Sequence, residues 1–501
     1  MSSALFEQRK EALRKQVLLE SFHSVDYDLL DSEVEKRAEK AFDELLRNDE
    51  GLDPSDHLMH TRRTAQESPV FKVLEKMPKG ALLHTHGIAT GPFESLVKRL
   101  QADDLVYIYV GPELDEDGAA DVAARAPGSE AHYEETAIEG EIRYMTNREA
   151  TNHMQTRGGW VPISDLDEVE VLAYLQVPPD TPRDKRWTVF QHCWNRVREL
   201  SDALPLWDGR DSYFWDILTQ LLKTGVNYVE IKQLIPVGFV KPENNGERIN
   251  REATIDEFMD TFIATVELFK KENPTFVGAK MVWSALKVFS PEVVRENVDT
   301  VLRLEEKYPG WIAGFDLVGH EDSLKPISTY VDALAYYKDR GGRLLLHAGE
   351  TIDPNNEQLY DAIALGCERI GHAYALPKHP SLVRIVKERG ITVECCPMSN
   401  QCLGYVDDLR NHPGLMMLNA GVKITISSDD AATFGYDDVT YDFALVAKAW
   451  GLTLAQLKHL ARASFRCSTL DHDAVLKAQA QFDKDWSNFL KSEVVAEHLL
   501  K

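Results

Sequence analysis

The sequence predicts a parallel (β/α)8 barrel with a helical N-terminal segment and one large insertion after its first strand. Two features predict the barrel. Between residues 78 and 430, eight short apolar runs alternate with amphipathic stretches, and most of those runs end on an ionisable residue. A third feature predicts the insertion: the interval 87–227 is far too long for an ordinary crossover.

A chain of 501 residues has room for one large α/β domain with additions, or for two or three domains. Its 44% hydrophobic and 27% charged residues are ordinary for a globular protein. A formal net charge of −25 argues against nucleic acid as a partner and against an anionic membrane, since both call for a basic surface. It leaves room for a small anion held in a local pocket. No apolar run approaches the roughly 18–20 residues that span a bilayer. The opening stretch MSSALFEQRKEALRKQ is charged and helical in pattern, unlike a secretory signal. Six cysteines, two of them adjacent (Cys395 and Cys396), do not make a disulfide framework. If this numbering is the full product, the expectation from these observations is a cytoplasmic protein.

In chain order, residues 1–75 form a helical segment, with apolar residues at three- and four-residue spacing over 7–20 and 32–46. Such a segment either packs on the outside of a barrel or pairs with a second copy; we read it as the pairing element of a homodimer. The barrel takes 76–104 and 185–501. Its strands are expected at 80–86 (GALLHTH), 228–235 (YVEIKQLI), 276–284 (FVGAKMVWS) and 311–319 (WIAGFDLVG), then at 343–347 (RLLLH), 369–374 (RIGHAY), 391–396 (ITVECC) and 423–428 (KITISS). Helices at 255–272, 291–308 and 380–389 separate several of them. The inserted subdomain, 105–184, is acidic and rich in Gly, Ala and Pro, with one strand-like patch at 140–145. A helix over 187–200 leads back to the barrel, and helices over 452–463 and 472–491 complete the outer ring.

In this fold the active site lies at the C-terminal ends of the strands. Those ends offer His84 and His86, His320 with Glu321, His347 with Glu350, His372, and Asp429 with Asp430. His84 and His86 are two apart on a strand, so both imidazoles face one side and can meet one metal. The stretch LLLHAGET delivers His347 to the end of the fifth strand, and Gly349 turns the chain so that Glu350 faces the same cavity. Strand eight adjoins strand one in a closed barrel, which brings Asp429 alongside. Three histidines and a carboxylate suit zinc, with water completing the site. Neighbouring residues at a strand end diverge, so one aspartate of the Asp429–Asp430 pair reaches the metal and the other the substrate. His372 is placed to hydrogen-bond a water at the metal, and Glu350 to pass a proton to the substrate. Each residue alone has a plainer reading, as a hydrogen-bonded core histidine or a helix-capping aspartate. Their coincidence at so many strand ends favours a site.

The stretches MPKGALLHTH, GFDLVGHED, LLLHAGET, RIGHAYAL, ECCPMSNQCLGYVDDLRNHP and ITISSDDAATFG, in that order, resemble the adenosine deaminase family. GHED, and SNQ followed by DLRNHP, are most similar to its adenosine deaminase-related growth factor branch, also called the adenosine deaminase 2 type. The resemblance spans residues 60–490, with the insertion least alike. It implies a barrel of the metal-dependent amidohydrolase type that hydrolyses a 6-aminopurine nucleoside to the 6-oxopurine and ammonia. It implies one Zn2+ per chain on His84, His86, His347 and Asp429, with Asp429 also catalytic. Glu350 would protonate the purine N1, and His372 would orient and deprotonate the attacking water. Asp430 would hold N7, the Gly319 backbone would meet N3, and Trp187 would line the pocket.

Two positions depart from the family pattern. The aspartate that usually follows the His-x-His pair is Gly87 here, and a ribose-contacting histidine after strand three is replaced by Leu286. Metal and base contacts survive while sugar contacts do not. The expected substrate is therefore a nucleoside modified at the 5′ position, or a nucleotide, with weak action on plain adenosine. The branch is typically secreted with a disulfide in its insertion, whereas this insertion holds no cysteine.

Two rivals share the barrel. A two-metal hydrolase usually needs a bridging carboxylated lysine at strand four, where this chain has Gly319, His320 and Glu321. A non-catalytic, growth-factor-like binding protein would have no use for the full set of ligands, acid and base. The cytidine-deaminase arrangement, H-x-E with P-C-x-x-C, is not what ECCP presents.

Overall fold

The computed structural model describes residues 7–14, 32–110, 142–145, 150–151, 159–198, 200–235, 239–242 and 250–500. Eight parallel strands make the barrel: β1 (Gly80–His86), β2 (Val226–Leu234), β3 (Gly278–Leu286), β4 (Ile312–Val318), β5 (Leu345–Ala348), β6 (Arg369–His372), β7 (Thr392–Cys395) and β8 (Lys423–Ile426). They pair as two four-stranded runs, β1 to β4 and β5 to β8. Single bridges join the runs, Phe315 with Leu344 at one seam and Thr85 with Asp429 at the other. At the second seam the Asp429 N–H donates to the His84 carbonyl at 3.2 Å. The barrel thus closes on residues expected to carry the chemistry.

The strands are buried almost throughout because both faces are covered. Helices that cover the outside begin and end where local signals dictate. Ile255–Glu272 opens with a capping box between Thr254 and Glu257. Pro291–Lys307 has Ser290 as cap and Pro291 in its first turn. Pro380–Arg389 stops at Gly390, whose φ of 68° lies in the left-handed region. No helix among the described residues is long and apolar enough to cross a membrane.

In the N-terminal segment, Glu33–Asn48, Leu58–Glu67 and Pro69–Lys76 are helices. The first of them lies against the chain's own C-terminal helices, with Phe42 and Leu46 buried. Its Glu35 accepts from Lys458 Nζ at 2.7 Å and from the Trp486 indole at 2.9 Å. For this stretch, packing on the barrel is the arrangement found. Residues 7–14 are helical and largely exposed, while 15–20 of the expected helix lie outside the described residues.

Of the insertion, three short antiparallel strands are described, with Val106–Tyr109 between Ile142–Tyr144 and Trp160–Pro162. The strand-like patch expected at 140–145 corresponds to Ile142–Tyr144; residues 111–141 lie outside the described set. A helix, Arg186–Val197, returns the chain to the barrel mouth. A hairpin after β2, Phe239–Pro242 with Asn250–Ala253, was not expected, since FVKP and NREA carry no apolar alternation.

Candidate active site

The residues at the strand ends converge. The ligand atoms of His84, His347, His372 and Asp429 lie within 4.8 Å of one another, as do those of His86, Asp429 and Asp430. Asp429 belongs to both groups. Its Oδ1 stands 3.2 Å from His84 Nε2 and 3.0 Å from His86 Nε2. That oxygen is buried, and no hydrogen-bond donor meets it. A buried carboxylate oxygen left without a donor, amid several imidazole nitrogens, is what a cation site looks like. Close approach also matters here. A Cβ on Gly371 of β6 would come within 2.9 Å of the His84 ring, so the glycine of RIGHAY leaves that imidazole its room.

Beneath these histidines runs a buried chain of charge. Glu394 Oε2 stands 2.7 Å from His84 Nδ1, and Asp316 Oδ2 stands 2.8 Å from His347 Nδ1. Lys232 Nζ joins the two carboxylates at 2.7 and 3.1 Å. Arg369 extends the chain from Glu394 to Glu230, at 2.6 Å each. Burial alone would raise the Glu394 pKa, but Lys232 and Arg369 outweigh it and hold the group well below the usual range. An ionised carboxylate on each Nδ1 fixes the tautomer and turns the Nε2 lone pair toward the cavity. Burial, chiefly, brings His347 down to about 3, so its imidazole is neutral, the form that ligates a metal.

Glu350 and His372 lie side by side. Burial, reinforced by the Asp429 and Glu321 carboxylates, pushes Glu350 well above the ordinary carboxyl range. Its backbone is gripped by Glu321, whose two oxygens accept from the Gly349 and Glu350 N–H groups at 2.9 and 3.0 Å. His372 Nδ1 is 3.3 Å from Glu350 Oε1, and its Nε2 is 3.7 Å from Asp429 Oδ2. Burial and the neighbouring histidines hold His372 well below its usual value, so it is a neutral imidazole able to take a proton. His372 and Asp429 have φ of 61° and 58°, a left-handed backbone that costs a non-glycine residue roughly 1 kcal/mol or more and is met chiefly where function demands it. Burial and the neighbouring Asp429 carboxylate push Asp430 well above the ordinary carboxyl range, and its Oδ1 accepts from the Trp194 indole at 2.8 Å.

A cleft opens above this floor. One face of the helix Arg186–Val197 and its capping residue lines it, with Trp187, Phe190, Gln191, Trp194, Asn195 and Arg198 at three- and four-residue spacing. The Trp187 indole donates to the Tyr405 hydroxyl at 2.9 Å, and its ring stacks on His320 at 4.5 Å. Gly319, just past β4, lines the opposite wall.

All the residues singled out from the sequence (His84, His86, His347, Asp429, Glu350, His372, Asp430, Gly319 and Trp187) therefore border one cavity or its floor. Residues not singled out for a role are Asp316, Glu394 and Lys232 beneath the site, Trp194 on Asp430, and Asn400 beside Glu350. A signal was present for the first three. A charge inside a strand covered on both faces has to be paired, so its partner lies among the other buried strands.

Comparison with known proteins agrees. The family model described as adenosine deaminase matches residues 203–484. The chain is 30% identical, over 475 residues, to adenosine deaminase 2 of Dictyostelium discoideum, covering 91% of this chain and 82% of that one. The fold is that of adenine deaminase from Arthrobacter aurescens, with a TM-score of 0.54 at 19% identity over 82% of this chain and 99% of that one. An amidohydrolase from Burkholderia ambifaria, solved with bound zinc, superimposes with a TM-score of 0.50 at 16% identity over 85% of this chain and 94% of that one. On these grounds the chain belongs to the adenosine deaminase family, in its adenosine deaminase 2-like branch.

Proposed function

We propose that this protein is a zinc-dependent aminohydrolase that converts an adenosine-like 6-aminopurine nucleoside or nucleotide to the 6-oxopurine and ammonia. The observation that carries the reading is Asp429 Oδ1, buried without a donor amid imidazole nitrogens, with Glu350, its carboxyl pKa raised by burial, and His372, its imidazole pKa lowered by burial, on the same cavity. His84, His86, His347 and Asp429 would hold one zinc ion. His372 is kept for the substrate water because its other nitrogen adjoins Glu350. Zinc supplies Lewis acidity, bringing the pKa of water toward about 7.

The chain's own groups supply the rest. Glu350 gives its proton to the purine N1, which leaves C6 open to attack. His372 takes a proton from the attacking water as oxygen joins C6. Asp430 in its acid form donates to N7, and the Gly319 N–H meets N3. His372 then delivers its proton to the amine, the C6–N bond breaks and ammonia leaves. The hydroxyl proton on C6 restores the acid form of Glu350. Trp187 and Trp194 cover the base and exclude bulk water.

Support for a cytoplasmic enzyme comes from six free cysteines, five of them buried. Support for a homodimer comes from the exposed helix at 7–14, where Leu13 is 62% exposed; sedimentation velocity measures the assembly. The function itself is tested by ammonia release from adenosine, adenine and adenosine 5′-monophosphate with zinc-loaded protein. Turnover of at least one is expected, with Glu350→Ala inert while retaining its zinc. A zinc-loaded protein inert toward all three would end the proposal.

A further inference from the structure

The barrel order says where the substrate's sugar must run. With C6 at the metal group, N1 lies on Glu350 past β5, N3 on Gly319 past β4 and N7 on Asp430 past β8. The N9 substituent is opposite C6, so it points toward the ends of β2 and β3. There the cleft is walled by Leu234 of β2, by Ser284 and Leu286 of β3 and by Val318 of β4. Gly87 and Leu286 stand where the family places its sugar contacts, and neither brings a polar side chain. Leu234 and Val318 bring none either, so the hydroxyl of this wall is that of Ser284.

The surroundings of Ser284 keep that hydroxyl for a ligand. The residue is 1% exposed, and its Oγ meets no hydrogen-bond partner. Strand pairing sets Leu234 on one side of it and Asp316 on the other. Both oxygens of Asp316 are already taken. Oδ1 accepts from the Leu317 and His347 N–H groups at 2.7 and 2.9 Å, and Oδ2 from Lys232 Nζ and His347 Nδ1 at 2.7 and 2.8 Å. Lys232 is spent too, on Asp316, Glu394 and the Leu345 carbonyl. The Ser284 backbone is fixed, since its carbonyl accepts from the Ile235 N–H at 3.0 Å. A buried hydroxyl without a partner is costly, and in the wall of a cleft a bound molecule removes that cost by completing the bond.

We infer that Ser284 is the sugar-recognition residue of this enzyme: its hydroxyl bonds a ribose hydroxyl and thereby selects a 6-aminopurine nucleoside over the free base and over the matching deoxy sugar. A serine hydroxyl both donates and accepts, as a ribose hydroxyl does, so the pair can form in either sense. Leu234, Leu286 and Val318 give the carbon face of the ribose an apolar bed and keep water from competing for the bond. The contact lies at the far end of the substrate from C6, so it acts on binding more than on the chemical step. The inference rests on the reading of the site as a 6-aminopurine deaminase.

The test compares kcat/KM in the parent and in Ser284→Ala for adenosine, its 2′-, 3′- and 5′-deoxy forms and adenine. The parent is expected to lose about 10-fold or more on one deoxy form and on adenine. Ser284→Ala should bring adenosine down to the level of that same deoxy form, with most of the change in KM. Each ratio is taken within one preparation, so incomplete folding cancels. Ser284→Cys, similar in size but a weak hydrogen-bonding group, replaces Ser284→Ala if the latter does not fold. If adenosine is not turned over, adenosine 5′-monophosphate and its 2′- and 3′-deoxy forms take its place. A parent that turns over all the deoxy forms as well as the ribose form overturns the inference while leaving the deaminase reading standing. So does a Ser284→Ala ratio equal to the parent's, or turnover of adenine alone. Failure to release ammonia from any 6-aminopurine removes both.

Discussion

Asn400 Nδ2 donates to Glu350 Oε1 across 3.2 Å, inside the cavity floor. The amide's orientation is dictated from behind. The Gly414 N–H donates to His412 Nδ1 at 3.0 Å, so the His412 proton sits on Nε2, which is 3.0 Å from Asn400 Oδ1. Asn400 must then turn its NH2 toward Glu350 and His372. Because Oε1 of Glu350 accepts, the proton of its acid form is left to Oε2, the oxygen free to serve the substrate. Asn400→Ala is expected to lower kcat by about 10-fold or more with KM moved less, the mark of a contact that matters in the transition state. Steady-state kinetics with zinc content checked in parallel measures it; an unchanged kcat would refute the role.

His412 also sets a pH dependence of stability. Burial brings it from 6.5 down to about 3. Between those values the unfolded chain binds a proton that the folded chain refuses, so stability rises with pH across the window. The contribution is whole above about pH 6.5 and is lost as pH falls toward 3, on the order of a few kcal/mol. Urea unfolding at pH 7.5 and pH 5 should show a larger drop for the parent than for His412→Gln.

Activity should fail on the alkaline side through Glu350. Burial and the neighbouring carboxylates raise its pKa, so the acid form persists above the ordinary carboxyl range and is lost as pH climbs through the raised value. The pH profile of kcat/KM is expected to decline on its alkaline side only above the ordinary carboxyl range. A decline beginning near the ordinary carboxyl range would show that Glu350 acts ionised.

The carboxylates under the histidines should govern metal retention. Glu394→Gln keeps the shape but weakens the 2.7 Å contact to His84 and removes the partner charge of Lys232 and Arg369. Loss of such an orienting partner typically costs about 10–100-fold in metal affinity. Competition with a chromogenic chelator reads this directly, without any assay of turnover. Affinity equal to the parent's would mean that the carboxylate only balances charge.

Much of this was legible in the chain. LLLHAGET showed both a covered strand and its two chemical residues, because an apolar run that ends on a histidine and a glutamate marks the point where a covered strand meets the cavity. The helices 255–272 and 380–389 were readable to the residue, since Thr254 and Gly390 punctuate them. Lys232 and Glu394 were harder to read. Their partners are 84 and 162 residues apart in the chain, and only the barrel's closure brings Asp316, Lys232 and Glu394 together. Asn400 was hardest, because an amide in a helix can serve a neighbour, a backbone or nothing. What it serves depends on where His412 stands.

Asp429 is a clasp as well as a ligand. Its N–H fastens the last strand to the first, while its carboxylate faces the cation site. A replacement such as Asp429→Asn keeps the backbone N–H that makes the clasp and changes only the group that faces the cation site. A cation bound there would, by linkage, favour the closed barrel over the unfolded chain.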